Sequence, residues 1–266
     1  MRVSAAFLSI SFVIFCPGSA APRQVPPIQR DEQAIATIQA AIDAMGGSKA
    51  IAQVQTAVVQ GSLAFVSGTS APSGTFVMLD QFTAQGHEFK DSFLSASTKQ
   101  TLVSGHGTPG FAANGSVRQL TPAVTDSRLA VHIPAITLAS ILANAGYSIT
   151  SVGTATLNGQ TAIRIHMHID SDLVQQTLSV QDWYFDASSG LPLRVEYRVP
   201  DTDSVLNFSS VAAQLSDFRV VQGITTPFHI AASLDGKPHS VLSVSSVSYN
   251  KSVLSSDFDL PVGGAQ

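Results

Sequence analysis

The 266-residue chain has a single cysteine, a single tryptophan and only 12% charged residues. Each scarcity excludes something. Cys16 lies within an apolar stretch near the N-terminus that reads as a cleavable signal. The mature chain is therefore expected to have no thiol nucleophile, no disulfide and no cysteine metal ligand. An exported protein without disulfides relies on its core alone, and this length suffices to bury one. No apolar run reaches the ~18 residues of a spanning helix, so the chain is not expected to be integral to a membrane. Basic residues number 14 against 18 acidic ones. No basic run interleaves with aromatics, which argues against nucleic acid as a partner. Gly-x-Ser-x-Gly is absent, no Ser/His/Asp set presents itself, and no Gly-rich phosphate loop leads from a strand into a helix. No catalytic residue, cofactor or metal site is assigned, and the chain is expected not to be an enzyme.

What is present starts with a secretory signature. Arg2, the apolar residues 5–15 and the small residues Gly18-Ser19-Ala20-Ala21 predict a signal peptide over residues 1–20. Residues 21–30 form a Pro-rich extended spacer, and residues 31–266 are expected to make one domain. The periplasm or cell surface of a Gram-negative bacterium is the expected location. Sequons at Asn114, Asn207 and Asn250 bear on this only in a eukaryotic host.

Periodicity then predicts the elements. Asp31-Glu32 open a helix with Ile35, Ile38, Ile42 and Met45 on one face, and Gly46-Gly47 close it. A short helical turn follows around residues 49–54. From Thr56 onward the dominant period is two. Val59, Leu63 and Phe65 share a parity, as do Phe76, Met78 and Phe82, and then Phe89 and Phe93. Ile163, Ile165, Met167 and Ile169 oppose Arg164, His166, His168 and Asp170. Leu191, Leu193, Val195, Tyr197 and Val199 oppose Pro192, Arg194, Glu196 and Arg198. Such alternation belongs to half-buried antiparallel strands. Turn signals fall at Gly68, Gly74, Asn114-Gly115, Asn158-Gly159, Ser189-Gly190, Gly223 and Asp235-Gly236. A second helix is expected over residues 134–145, with Pro134 in its first turn and an apolar stripe of Ile136, Leu138, Ile141 and Leu142.

About ten one-faced strands need a cover, and two amphipathic helices supply it. The expected fold is mainly β (α+β): one curved antiparallel sheet forming a half-barrel, with helices over its concave face and space for a ligand between them.

Several fragments reinforce this reading by their order and spacing. They are Ile42-Asp43-Ala44-Met45-Gly46-Gly47, Trp183-Tyr184-Phe185-Asp186, Ser189-Gly190-Leu191-Pro192-Leu193-Arg194, Asp217-Phe218-Arg219-Val220-Val221-Gln222-Gly223-Ile224, Thr226-Pro227-Phe228 and Asp257-Phe258-Asp259-Leu260-Pro261. Together they resemble the outer-membrane lipoprotein-sorting-protein family, the Lol-type periplasmic lipoprotein carriers and related lipid-binding half-barrels. The resemblance implies a curved sheet with helical cover and an apolar cavity for acyl chains. It assigns no ligand-gating residue to this chain, and residues 66–122, rich in Gly, Ser and Thr, depart from a compact carrier.

The polar constellations have plainer explanations. His166-x-His168 shares a strand face that suits a metal, but Arg164 beside it opposes a second cation. Gly105-His106-Gly107 reads as a loop. Asp170-Ser171-Asp172 and Asp201-Thr202-Asp203 lack the continuation of a calcium loop. The apolar set is the more informative. Phe65, Phe76, Phe82, Phe93, Leu138, Ile141, Trp183, Phe185, Phe218 and Phe228 are the candidate lining of the concave face, with Phe89 and Phe208 also expected inward. Burying a Phe stabilises by roughly 1.5–3 kcal/mol, so the same residues equally serve a filled core. The expected function is a non-catalytic exported binding protein whose partner is a lipid or lipoprotein acyl chain. The alternative is an envelope sensor or interaction module whose partner is an envelope membrane protein.

Overall fold

The computed structural model describes residues 27–66, 72–83, 86–105, 109–126, 128–171, 173–201 and 204–260. The expected signal peptide, most of the spacer, Cys16, Gly68, His106, Asp172 and the pair Thr202-Asp203 lie outside the described residues.

The strands are β1 (Thr56–Phe65), β2 (Ser73–Thr83), β3 (Gly86–Ser95), β4 (Lys99–Ser104), β5 (Gly110–Ala113), β6 (Ser116–Gln119), β7 (Tyr147–Leu157), β8 (Gln160–Ile169), β9 (Gln181–Asp186), β10 (Pro192–Asp201), β11 (Ser204–Val221), β12 (Ile224–Leu234) and β13 (Lys237–Tyr249). They form one open sheet in the order β6-β5-β4-β3-β2-β1-β13-β12-β11-β10-β9-β8-β7. The sheet is two meanders zipped together by the antiparallel pair β1–β13. Near-neighbour hairpins throughout are what a sequence of alternating runs and tight turns specifies. The strand count exceeds the ten expected because β4, β5 and β6 are short pieces of the Gly/Ser/Thr-rich region, where alternation is weak. Asn158 and Gly159 adopt φ of 51° and 82° and turn β7 into β8, as that dipeptide predicts. Gly74 behaves differently from its expected turn role. It lies inside β2, where a Cβ would come within 2.1 Å of the Leu94 carbonyl oxygen.

Among the described residues five helices accompany the sheet: α1 (Glu32–Ala44), α2 (Gly47–Ile51), α3 (Pro122–Asp126), α4 (Pro134–Ala143) and α5 (Leu173–Leu178). The two long ones, α1 and α4, are those the sequence predicts. Asp31 caps α1, its carboxylate accepting from the Gln33 N–H at 2.9 Å. Ala34, Ile38, Ala41 and Ile42 turn inward, against Leu138 and Ile141 of α4 and the concave face of the sheet. Arg30 satisfies the end of α4, donating from Nη2 to the Leu142 oxygen (2.8 Å) and from Nη1 to that of Asn144 (3.0 Å), which also accepts from the Tyr147 N–H at 3.2 Å.

Three of the fragments noted in the sequence, those holding Gly46, Gly190 and Gly223, meet at the end of α1. The Thr225 N–H donates to the Met45 oxygen at 2.9 Å, and Gly190 of the β9–β10 turn lies against Ala40 and Ala44. A separate small core sits on the outer face. There the short 3-10 turn Ser255–Phe258 brings Phe258 (1% exposed) to the side of β3–β5 that carries Val103, and Lys90 donates to the Asp257 oxygen.

Candidate ligand-binding site

The concave face is densely filled. Of the ten expected lining residues, Phe76, Phe93, Leu138, Ile141, Trp183, Phe185 and Phe228 are buried, Leu138 and Trp183 completely. The Trp183 indole stacks near Phe185 at 6.2 Å and donates to the Gln181 side chain at 2.8 Å. Phe65 and Phe82 are partly buried. Phe65 makes an edge-on contact with Phe93 at 5.6 Å, and Phe82 lies at the sheet rim. Phe218 is also partly buried, pairing with Pro227 one step out of phase with Leu215, Ile230 and Phe228. Phe208 does not face inward: it is 43% exposed and is covered by the Arg198 guanidinium at 4.6 Å. Its pairing with Pro200 places it in phase with Arg198 and Ser210, on the outer parity. Phe89 is buried as expected.

Open space remains at one rim. A groove of about 530 Å³ runs between α1–α2, α4 and the β2–β3 tip, lined by Ile42, Ile51, Val54, Phe82, Ile136 and Leu142, with Gln39, Ser48, His87 and Ser140 among its polar groups. A smaller hollow of about 140 Å³ adjoins it, lined by Arg128, Leu129, Ile141 and Tyr147. Both share Phe82, His87, Ile136 and Ser140, so His87 stands where the two meet. The groove thus takes in Phe82 directly and Ile141 through the adjoining hollow. The other expected residues line neither.

Beneath the groove lies a polar cluster that the aromatic pattern concealed. Asp80 occupies the inward parity of β2 between Met78 and Phe82, and Asp91 the inward parity of β3 between Phe89 and Phe93. Asp80 is fully buried. Its Oδ1 meets His87 Nε2 at 2.9 Å and its Oδ2 meets His132 Nε2 at 2.8 Å. Arg128 forks onto Asp91 through Nε (2.6 Å) and Nη2 (2.7 Å), reaches Asp80 with Nη1 at 3.4 Å, and lies over the Phe89 ring at 4.1 Å. The His87 ring stacks on Phe82 at 4.9 Å. Burial alone would raise the Asp80 pKa. The His132 charge and hydrogen bond, the His87 hydrogen bond and the Arg128 charge outweigh it and hold the carboxyl far below the usual range. Across the cluster, burial pushes the Tyr197 phenol up to about 12, with the Arg128 and Asp91 charges acting in opposite directions. The signal for this cluster was legible: an aspartate at an apolar parity, twice in adjacent strands. What the sequence did not show was Arg128 and His132 descending from the segment between α3 and α4 to meet them.

The histidine row on β8 serves the outer face. His166 Nδ1 meets Asp182 at 3.0 Å, Arg164 shares that carboxylate, and His168 Nε2 meets Asp170 at 2.9 Å. Among the described residues no group of three potential ligands is arranged for a metal. No helix of the described residues is long and apolar enough to cross a membrane.

No protein-family model matches the sequence, and no curated protein is similar to it in sequence. Solved structures do resemble it. A DUF1329 family protein from Desulfovibrio piger superposes with a TM-score of 0.55 at 13% identity, covering 85% of this chain and 97% of that one. A putative outer membrane lipoprotein-sorting protein domain from Vibrio parahaemolyticus gives 0.55 at 11% identity, over 86% and 97% of the two chains. A LolA superfamily protein from Nitrosomonas europaea gives 0.54 at 12% identity, over 85% and 97%. At such identities the shared property is architecture. The chain has the half-barrel fold of the LolA-superfamily and lipoprotein-sorting proteins.

Proposed function

We propose that this chain is an exported, non-catalytic binding protein that shelters one acyl chain in the groove between α1–α2, α4 and the β2–β3 tip. The groove itself carries the reading. Its volume of about 530 Å³ lies within the roughly 300–1,000 Å³ of small-molecule sites, and its walls are mostly aliphatic. Each CH₂ of a chain buried there contributes about 0.8 kcal/mol. The names of the fold neighbours, a lipoprotein-sorting domain and a LolA-superfamily protein, accord with carriage rather than catalysis. The proposal includes removal of residues 1–20 on export to the envelope, and one half-barrel domain over residues 31–266 tethered by the spacer.

A fluorescent fatty acid titrated into the full chain tests it. Saturable binding is expected, and Ala139→Trp, which places an indole in the groove wall, is expected to weaken it at least about tenfold, about 1.4 kcal/mol. If wild-type protein shows no saturable binding and native mass spectrometry finds no lipid on protein from a lipid-containing host, the reading is wrong. One observation favours the second reading, an interaction module for an envelope membrane protein. The interior is filled by its own side chains, Trp183, Phe185 and Leu138 above all, so the sheet holds its shape without a guest.

A further inference from the structure

The groove has one charged end, and the chemistry of that end selects among amphiphiles. We propose that His87 reads the polar head of the bound acyl chain and favours a carboxylate, which binds together with a proton taken up by the cluster beneath the groove. This rests on the acyl-chain reading above and names its substrate class as a fatty carboxylate.

The cluster holds two carboxylates, Asp80 and Asp91, and one guanidinium, Arg128. Arg128 is already engaged by both aspartates, and His132 by Asp80. Among the described residues a carboxylate head therefore finds no free cation in this low-dielectric pocket. One proton on His87 supplies it. His87 donates through Nε2 to Asp80, so a proton gained on Nδ1 makes that nitrogen a donor. His87 is the cluster member placed for the task. Its side chain is 29% exposed and lines both lobes of the cavity, whereas His132 is 2% exposed. The proton comes from solvent, the imidazolium then donates to the carboxylate head, and no covalent bond changes. The groups facing His87 include Asp80 and Phe82 from β2, Phe89 from β3, Arg128 from the segment after α3, Ser140 from α4, and the titratable Tyr147 of β7 across the shared hollow. His132 and Asp91 act through Asp80 and Arg128. An alcohol or ester head of the same chain length carries no charge, so the proton adds no ion pair there.

The test compares a fluorescent fatty acid with the fatty alcohol of equal chain length on the full chain. From about pH 8 down to about pH 6, fatty-acid affinity is expected to rise several-fold to about tenfold per pH unit, while alcohol affinity stays flat. Calorimetry in buffers of different ionisation enthalpy is expected to read uptake of about one proton for the acid and none for the alcohol. His87→Gln keeps a donor for Asp80 but does not titrate, and is expected to give the acid the flat profile of the alcohol. Thermal melting confirms that the variant is folded, and the wild-type proton count stands whether or not it is. If acid and alcohol bind with the same pH profile and no proton is taken up, the headgroup inference is overturned while the acyl-chain reading survives. If neither ligand binds at any pH, both fall.

Discussion

Asp80 and His132, 52 residues apart in sequence, share a 2.8 Å hydrogen bond with no solvent at either end. It fastens the segment that precedes α4 to the concave face of β2. A buried carboxylate held in such a place contributes specificity of docking more than raw stability, because desolvation offsets much of the attraction. Removing one partner is another matter.

Asp80→Ala leaves His132 and Arg128 facing an unfilled acceptor position, and denaturant unfolding should show a loss of about 3–5 kcal/mol. In a double-mutant cycle, Asp80→Ala and His132→Ala should lose less together than the sum of their separate effects, since they share one bond. Additive losses would mean that the contact does not couple β2 to the α4 segment.

Acid should loosen the same latch. The folded-state pKa of Asp80 is depressed, so the unfolded chain binds its proton first as pH falls. Its contribution is fully present above the unfolded carboxyl value of about 3.9 and is lost as pH drops below it toward the folded value. Asp182 is depressed in the same direction, where hydrogen bonds and charges from His166 and Arg164 overcome a burial effect that alone would raise it. Wild-type stability measured from about pH 6 to about pH 3 should fall, and Asp80→Asn should flatten that slope. An unchanged slope in the variant would remove Asp80 from the account.

The filled core makes its own demand. Leu138 is completely buried at the centre of α4, between α1 and the sheet. Leu138→Ala should cost about 2–5 kcal/mol in chemical denaturation, depending on how far the site collapses. A cost near zero would indicate that α4 is loosely held and that the interior, not the rim, is the open space.

The outer histidines give a negative test. His166 and His168 are each tied to an aspartate, and Arg164 occupies the same carboxylate as His166. Zinc added to the protein should leave the melting temperature unchanged, in wild type and in His166→Ala alike. A rise confined to the wild type would establish a metal site on β8.

Much of the architecture was legible along the chain. The alternation in residues 162–170 and 191–199 is a local consequence of strand geometry, and β8 and β10 appear where it predicts. The Asp31 cap and Pro134 in the first turn announced α1 and α4, the one by satisfying an end N–H and the other by having none to satisfy. The short helices α3 and α5 carry too few residues for a periodic stripe, and β4 to β6 are made of residues that suit a turn as readily as a strand. Phe208 looked like core by type alone, while its parity with Arg198 puts it outside.

The sequence by itself determined a curved one-faced sheet, two apolar helices to cover it and a set of aromatics for its concave side, because side-chain direction in strands and helices follows from period. Only the tertiary structure decided that most of those aromatics fill the interior and that the open space lies at the rim beside Phe82 and His87. It also decided the partners of Asp80 and Asp91, since Arg128 and His132 reach them from a segment that local periodicity does not describe. Pairings across long sequence separations are set by packing, and packing placed a charged cluster under an apolar groove.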